Sequence, residues 1–175
     1  DIKSNVRFIT PSYLLREIAQ DDSQPLTMLK GAMEKVTVSK HESSLAEYEY
    51  HLKMFAAIFK SALRNQATHL RNARSLSDAS YLVDEYLSNA ETILKKFRAL
   101  YAIIDVPSVS DQTRSYFRLC DEFVTHIVEI QTIRIVRRID ASAQTPEEIA
   151  LRERFAKTVM DQREYKKRMG YDVLN

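Results

Sequence analysis

The chain has 175 residues, of which 2 are glycine, and its 26 Lys and Arg nearly balance 24 Asp and Glu. This length allows one real core, and the apolar content of 45% excludes wholesale disorder. Two glycines exclude a Gly-rich phosphate loop and disfavour a sheet with many tight turns. The composition therefore indicates one mostly helical domain.

Residues 1–43 are predicted to form an irregular N-terminal segment with short helices. Thr10 followed by Pro11 is typical of a helix start, because proline fits the first helical position. A second short helix is expected to begin near Pro25. Alternation of valine with polar residues over 35–40 predicts a short extended segment there.

Residues 44–170 are predicted to form a bundle of four long helices. The first begins at a capping box, Ser44 with Glu47, and continues to about Ala73. The second covers about 79–104, and the third begins near Ser110. Apolar residues in these regions recur at alternating spacings of three and four, a heptad-like pattern that resembles a coiled coil.

The fourth helix has the clearest ends. Thr145 can cap it, Pro146 occupies its first position, Glu148 completes a capping box, and Gly170 is a typical terminator. Residues 171–175 are interpreted as a tail or the start of a missing segment. Short loops between the long helices favour an antiparallel arrangement. The expected fold is therefore all-α: an antiparallel bundle of four long helices with a short-helix N-terminal segment.

Other site types have little support in the sequence. Cys120 is the single cysteine, so an internal disulfide and a multi-cysteine zinc site are excluded, and its place in an apolar stripe predicts burial. Acidic residues flank His126, but facing carboxylates are not evident on the other helices. No metal or cofactor is expected. No apolar run reaches the length of a membrane span, and a cytoplasmic location is expected, with a soluble domain of a membrane protein as the alternative.

One short motif carries catalytic residue types. The run from Arg64 and Asn65 to His69 resembles the R-N-x-x-x-H signature of HEPN ribonucleases, a family of small α-helical bundles. The resemblance implies a metal-independent RNase that acts as a homodimer. In it, His69 transfers protons and Arg64 stabilises the phosphorane.

Basic residues cluster on the last two long helices. The members of this predicted basic face are Arg134, Arg137, Arg138, Arg163, Lys166 and Lys167. Such a face suits an acidic partner. Because the sequence contains few other residue patterns that are typical of catalytic sites, the leading hypothesis is a non-enzymatic interaction or regulatory domain. The expected partner is a protein, and RNA or an acidic surface is the alternative ligand of the basic face. A homodimer is an open alternative, and so is a larger, membrane-associated parent protein.

Overall fold

The computed structural model describes residues 11–76, 78–142 and 145–172, and the described residues contain helices and no strand. The helices are α1 (Pro11–Ala19), α2 (Gln24–Val38), α3 (Glu42–Asn72), α4 (Ser80–Ala99), α5 (Tyr101–Ile104), α6 (Asp111–Ser142) and α7 (Pro146–Met169). The prediction of an all-α fold with four long helices is confirmed, with α3, α4, α6 and α7 as the long members. Thr10, the expected cap of α1, lies outside the described residues.

The ends of α7 are those that the sequence predicts. Thr145 Oγ1 accepts a hydrogen bond from the Glu148 backbone N–H at 3.2 Å, and Pro146 occupies the first turn. Gly170 ends the helix with a φ of 76°, in the left-handed region that favours glycine. Local chemistry therefore determines both ends of this helix.

The N-terminal segment and the helix after it differ from their predictions at two points. α3 begins at Glu42 with His41 as its N-cap, so Ser44 lies inside the helix and does not cap it. The extended segment expected over 35–40 is wrong, because α2 continues through it to Val38. Val36 is buried while Val38 is exposed, so the two valines do not share one buried face. α2 packs along α3, and this packing outweighs the β-propensity of the two valines.

The long helices alternate in direction along the chain. The C-terminal part of α4 lies against the N-terminal halves of α3 and α6. Phe97 of α4 stacks on Phe55 of α3 and on Phe117 of α6, with ring centroids 4.6 and 4.5 Å apart. α3 and α6 consequently run parallel to each other, since Tyr48 donates to the Thr113 carbonyl at 2.8 Å. α7 returns antiparallel to α6.

The core is aromatic at its centre. The aromatic members of the heptad-like apolar pattern, which we call the aromatic stripe, are buried there. Those with no exposed surface are Tyr48, Phe55, Phe59, Tyr86 and Phe97. The buried tyrosine hydroxyls are satisfied, because that of Tyr86 lies 2.8 Å from the Thr132 hydroxyl. α1 and α2 add Leu15, Leu29 and Met33 to the same core. The described part of the N-terminal segment packs on α3 and, through α1, also on α4.

Candidate interaction surface

The Arg-Asn-x-x-x-His motif lies in the C-terminal third of α3, with His69 in the last turn. Arg64, Asn65 and His69 are all exposed, and α3 is one helix from Glu42 to Asn72. Residues five apart on a helix diverge by about 140°. Arg64 and His69 of one chain therefore face different directions, and neither makes a hydrogen bond or ion pair with any residue that the structure describes.

The predicted basic face separates into exposed and interior residues. Arg134 and Arg137 are exposed on α6 and form no ion pair within the described part of the chain. Arg163 and Lys167 are exposed on α7. Arg138 and Lys166 do not belong to this surface, and each has a specific structural reason for its position.

Arg138 closes the C-terminal end of α3. Its Nε donates to the Arg71 carbonyl at 3.1 Å, and its Nη2 donates to the carbonyls of Ala73 and, at 3.3 Å, Arg74. The last carbonyls of a helix have no partner within the helix, and a guanidinium can satisfy several of them at once. Arg138 is therefore committed to joining α6 to α3.

Lys166 is buried between α7 and α6, with 1% of its surface exposed. Its Nζ lies 3.2 Å from Oε2 of Glu129, whose side chain is fully buried. Arg163 Nε approaches the other carboxylate oxygen at 3.4 Å. The placement of Lys166 on an exposed face is thus corrected: the residue neutralises an interior carboxylate, as a buried charge requires.

His126 lies beside this ion pair. Its Nδ1 is 3.3 Å from Lys166 Nζ, and because an ammonium group can only donate, this nitrogen must be the acceptor. The contact therefore favours the neutral ring. Partial burial, followed by the Lys166 charge, lowers the pKa of His126 below its ordinary value, and Glu129 and Glu122 oppose that shift more weakly.

A second polar cluster holds the end of the chain to α6. Asp121 is buried, and it accepts from Tyr165 at 2.5 Å, from Tyr171 at 2.7 Å and from Arg98 at 3.0 Å. Tyr171, the first residue of the expected tail, is therefore packed against the bundle. Residues 173–175 lie outside the described residues.

The solvent-facing side of α6, which we call the α6 face, combines apolar and basic residues. Its members, spaced as one helical stripe, are Leu119, Phe123, Ile130, Arg134 and Arg137. Leu119 is 62% exposed and Phe123 is 39% exposed. Phe123 also fits the apolar spacing of this helix, but its spacing from Leu119 and Arg134 places it on the outer face.

A shallow cavity of about 280 Å³ adjoins this face. Its lining residues are Leu119, Glu122, Phe123, His126, Lys166 and Asp172. Two of these side chains are large and apolar, and the other four are polar or charged. The cavity can therefore contact an apolar side chain of a partner through Leu119 and Phe123, next to polar groups.

Among the described residues, no three His, Cys, Asp or Glu side chains form a group placed to hold a metal ion. None of the helices in the described part of the chain is long and apolar enough to cross a membrane. Comparison of the chain with known protein families, with curated proteins and with solved structures found no match.

Proposed function

We propose that this chain is a non-enzymatic interaction domain that binds a partner protein through the α6 face. The observation that carries the proposal is the alignment on one helix of exposed Leu119 and Phe123 with Arg134 and Arg137, which form no ion pair with a described residue. Aromatic side chains and arginine are enriched in protein interfaces, and arginine is among the residues that often contribute much of the binding energy. A contiguous exposed apolar patch on a folded domain is also typical of a binding site.

The test is quantitative affinity purification with the wild-type chain and with Arg134→Glu/Arg137→Glu as bait. Proteins that bind through the α6 face should be lost from the double variant. Lys30→Glu/Lys95→Glu, which reverses two exposed charges on α2 and α4, should retain them. Circular dichroism should show that both variants remain helical. An unchanged set of bound proteins with Arg134→Glu/Arg137→Glu would contradict the proposal.

The HEPN-like RNase remains the second proposal, on the residues of the motif. Exposure of Arg64, Asn65 and His69 leaves them accessible to a second copy of the chain. Because Arg64 and His69 diverge on one helix, the catalytic site would have to combine residues of two subunits. Cleavage of single-stranded RNA without added metal should then disappear in His69→Ala, and equal cleavage by that variant would rule this activity out.

A further inference from the structure

The parallel packing of α3 and α6 creates a basic seam that extends beyond the α6 face. Lys60 Nζ lies 5.7 Å from the centroid of the Phe123 ring, so the outer edge of α3 borders the α6 face. Lys53, Lys60, Arg64 and Arg71 follow one another at intervals of seven, four and seven residues, which places them on one stripe of α3. This stripe is about 27 Å long at 1.5 Å per residue. We call it, together with the α6 face, the α3–α6 seam.

Carboxylates are sparse along this seam, and the two that lie beside it, Glu122 and Asp172, line the cavity. α3 has no Asp or Glu between Glu49 and its end at Asn72. On α6 the single carboxylate between Phe123 and Ile139 is Glu129, which is buried against Lys166 and Arg163. The net charge of +2 for the whole chain therefore conceals a strongly basic strip.

Three cations of α3 are available along the seam. Lys53, Lys60 and Arg64 are exposed and form no ion pair with a described residue. Lysines and arginines at a rim guide an oppositely charged partner and set its orientation. A ligand for this surface must therefore present several negative charges over a comparable length.

The apolar part of the seam distinguishes among anionic ligands. Leu119 and Phe123 are exposed beside the cavity of about 280 Å³. Contact with these two side chains favours a ligand that carries apolar side chains. A nucleic acid would use chiefly the charges and would meet only one exposed aromatic ring, Phe123, on the α6 face, whereas binding of single strands typically employs several stacked bases. Apolar and basic elements side by side favour a segment that is apolar on one side and acidic on the other.

We propose that the partner contributes an acidic amphipathic helix of about 18 residues, which lies along the α3–α6 seam. Its carboxylates face Lys53, Lys60, Arg64 and Arg134, and an apolar side chain enters the cavity beside Leu119 and Phe123. This inference rests on the proposed function and specifies the chemistry of the partner.

The test uses a fluorescent synthetic peptide of about 18 residues composed of Glu, Ala and Leu, with Leu on one face of a helix. A peptide of the same composition in scrambled order is the control for amphipathicity. Fluorescence anisotropy at low ionic strength should show binding of the first peptide and at least several-fold weaker binding of the second. Added salt should weaken the complex, because exposed charges are screened.

Charge reversal locates the binding surface. The triple variant Lys53→Glu/Lys60→Glu/Arg64→Glu should lose about tenfold or more in affinity. The matched variant Lys30→Glu/Lys40→Glu/Lys95→Glu changes the net charge equally at other exposed positions and should bind within about twofold of wild type. Equal losses in the two variants would show that net charge alone attracts the peptide and would overturn the inference.

Comparison ligands decide among the classes of partner. Binding of single-stranded RNA of equal charge, or of anionic vesicles, in preference to the amphipathic peptide would also overturn the inference. The proposed function fails separately, if Arg134→Glu/Arg137→Glu retains all captured proteins. If those proteins are lost but the peptide does not bind, the α6 face remains the interaction site and the acidic-helix inference is wrong.

Discussion

Lys166 and Glu129 form an ion pair with 3.2 Å between Nζ and Oε2, and both side chains are shielded from solvent. The pair joins the C-terminal half of α7 to α6. The N-terminal half of α7 packs through the buried side chains of Leu151, Phe155 and Val159. Its C-terminal half is held by this ion pair, and hydrogen bonds from Tyr165 and Tyr171 to Asp121 hold the end of the chain. Docking of the last helix therefore uses buried charges as well as apolar packing.

We expect Lys166→Met to lower the free energy of unfolding by about 3 kcal/mol, because it leaves the Glu129 carboxylate buried with only a partial partner in Arg163. Urea denaturation followed by circular dichroism measures this change. The neighbouring substitution Lys167→Met, at an exposed position, should change stability by less than about 0.5 kcal/mol.

Removal of both charges should recover most of the loss. The double variant Glu129→Leu/Lys166→Met is expected within about 1 kcal/mol of wild type, because a buried ion pair can often be replaced by apolar groups at little cost. A double variant as unstable as Lys166→Met alone would show that the pair itself, rather than charge balance, stabilises the helix.

Stability should decrease as the pH falls below about 6.5, in part through His126. Burial and the Lys166 charge lower the pKa of His126 in the folded state, so the unfolded chain takes up a proton first. Because the unfolded state then binds more protons, the free energy of unfolding falls from near pH 6.5 down to the lowered folded-state pKa. Above about pH 6.5 this contribution is fully present.

His126→Gln should reduce the pH dependence of unfolding measured between about pH 7 and pH 5.5. The matched variant His69→Gln, at an exposed position without polar contacts to described residues, should retain the wild-type slope. Identical slopes in wild type and His126→Gln would show that His126 does not contribute.

Arg138→Ala should lower the free energy of unfolding by about 2 kcal/mol, because charged hydrogen bonds to the carbonyls at the end of α3 are lost. Arg137→Ala, one residue away and exposed, should have almost no effect on stability. Chemical denaturation of the two variants checks both expectations. Equal stability of the two would mean that Arg138 is not a structural residue.

Cys120 should react slowly with a thiol reagent such as a disulfide dye in the native protein. Its side chain is buried, its Sγ lies 3.6 Å from the Leu52 carbonyl, and burial raises the pKa of the thiol to about 12. Labelling should be complete within the mixing time in concentrated urea. Rapid labelling of the native chain would contradict its burial.

The 2 glycines should respond to alanine in opposite directions. Gly170 has a φ of 76°, so Gly170→Ala should destabilise the protein by about 1 kcal/mol. Gly31 lies within α2, and no atom within 4 Å would meet an added Cβ. Gly31→Ala should therefore stabilise the protein by about 0.5–1 kcal/mol. Differential scanning calorimetry on both variants tests the contrast.

The helical framework could be predicted from local signals. The three-and-four spacing of apolar residues located the long helices, and Thr145, Pro146 and Gly170 located the ends of α7. Burial of Cys120 and of the aromatic stripe followed from the same spacing. The error at 35–40 arose because two valines at alternate positions suit a strand locally, while packing on α3 favours a helix.

The candidate surface could be predicted only in part. Arg134 and Arg137 are exposed as expected, but the stripe on α3 joins them only because α3 and α6 pack in parallel. No pattern within α3 alone indicates which long helix lies beside it. Leu119 and Phe123 are likewise exposed because of which sides of α6 pack against neighbouring helices.

Pairs of adjacent cations show which properties follow from the sequence and which depend on tertiary packing. By itself, the sequence determined that Arg137, Arg138, Lys166 and Lys167 lie on helices and carry positive charge. Tertiary structure alone decided that Arg138 and Lys166 serve the interior while Arg137 and Lys167 face solvent. The physical reason is that neighbours on a helix point about 100° apart, so the position of the next helix determines which of two identical charges is buried.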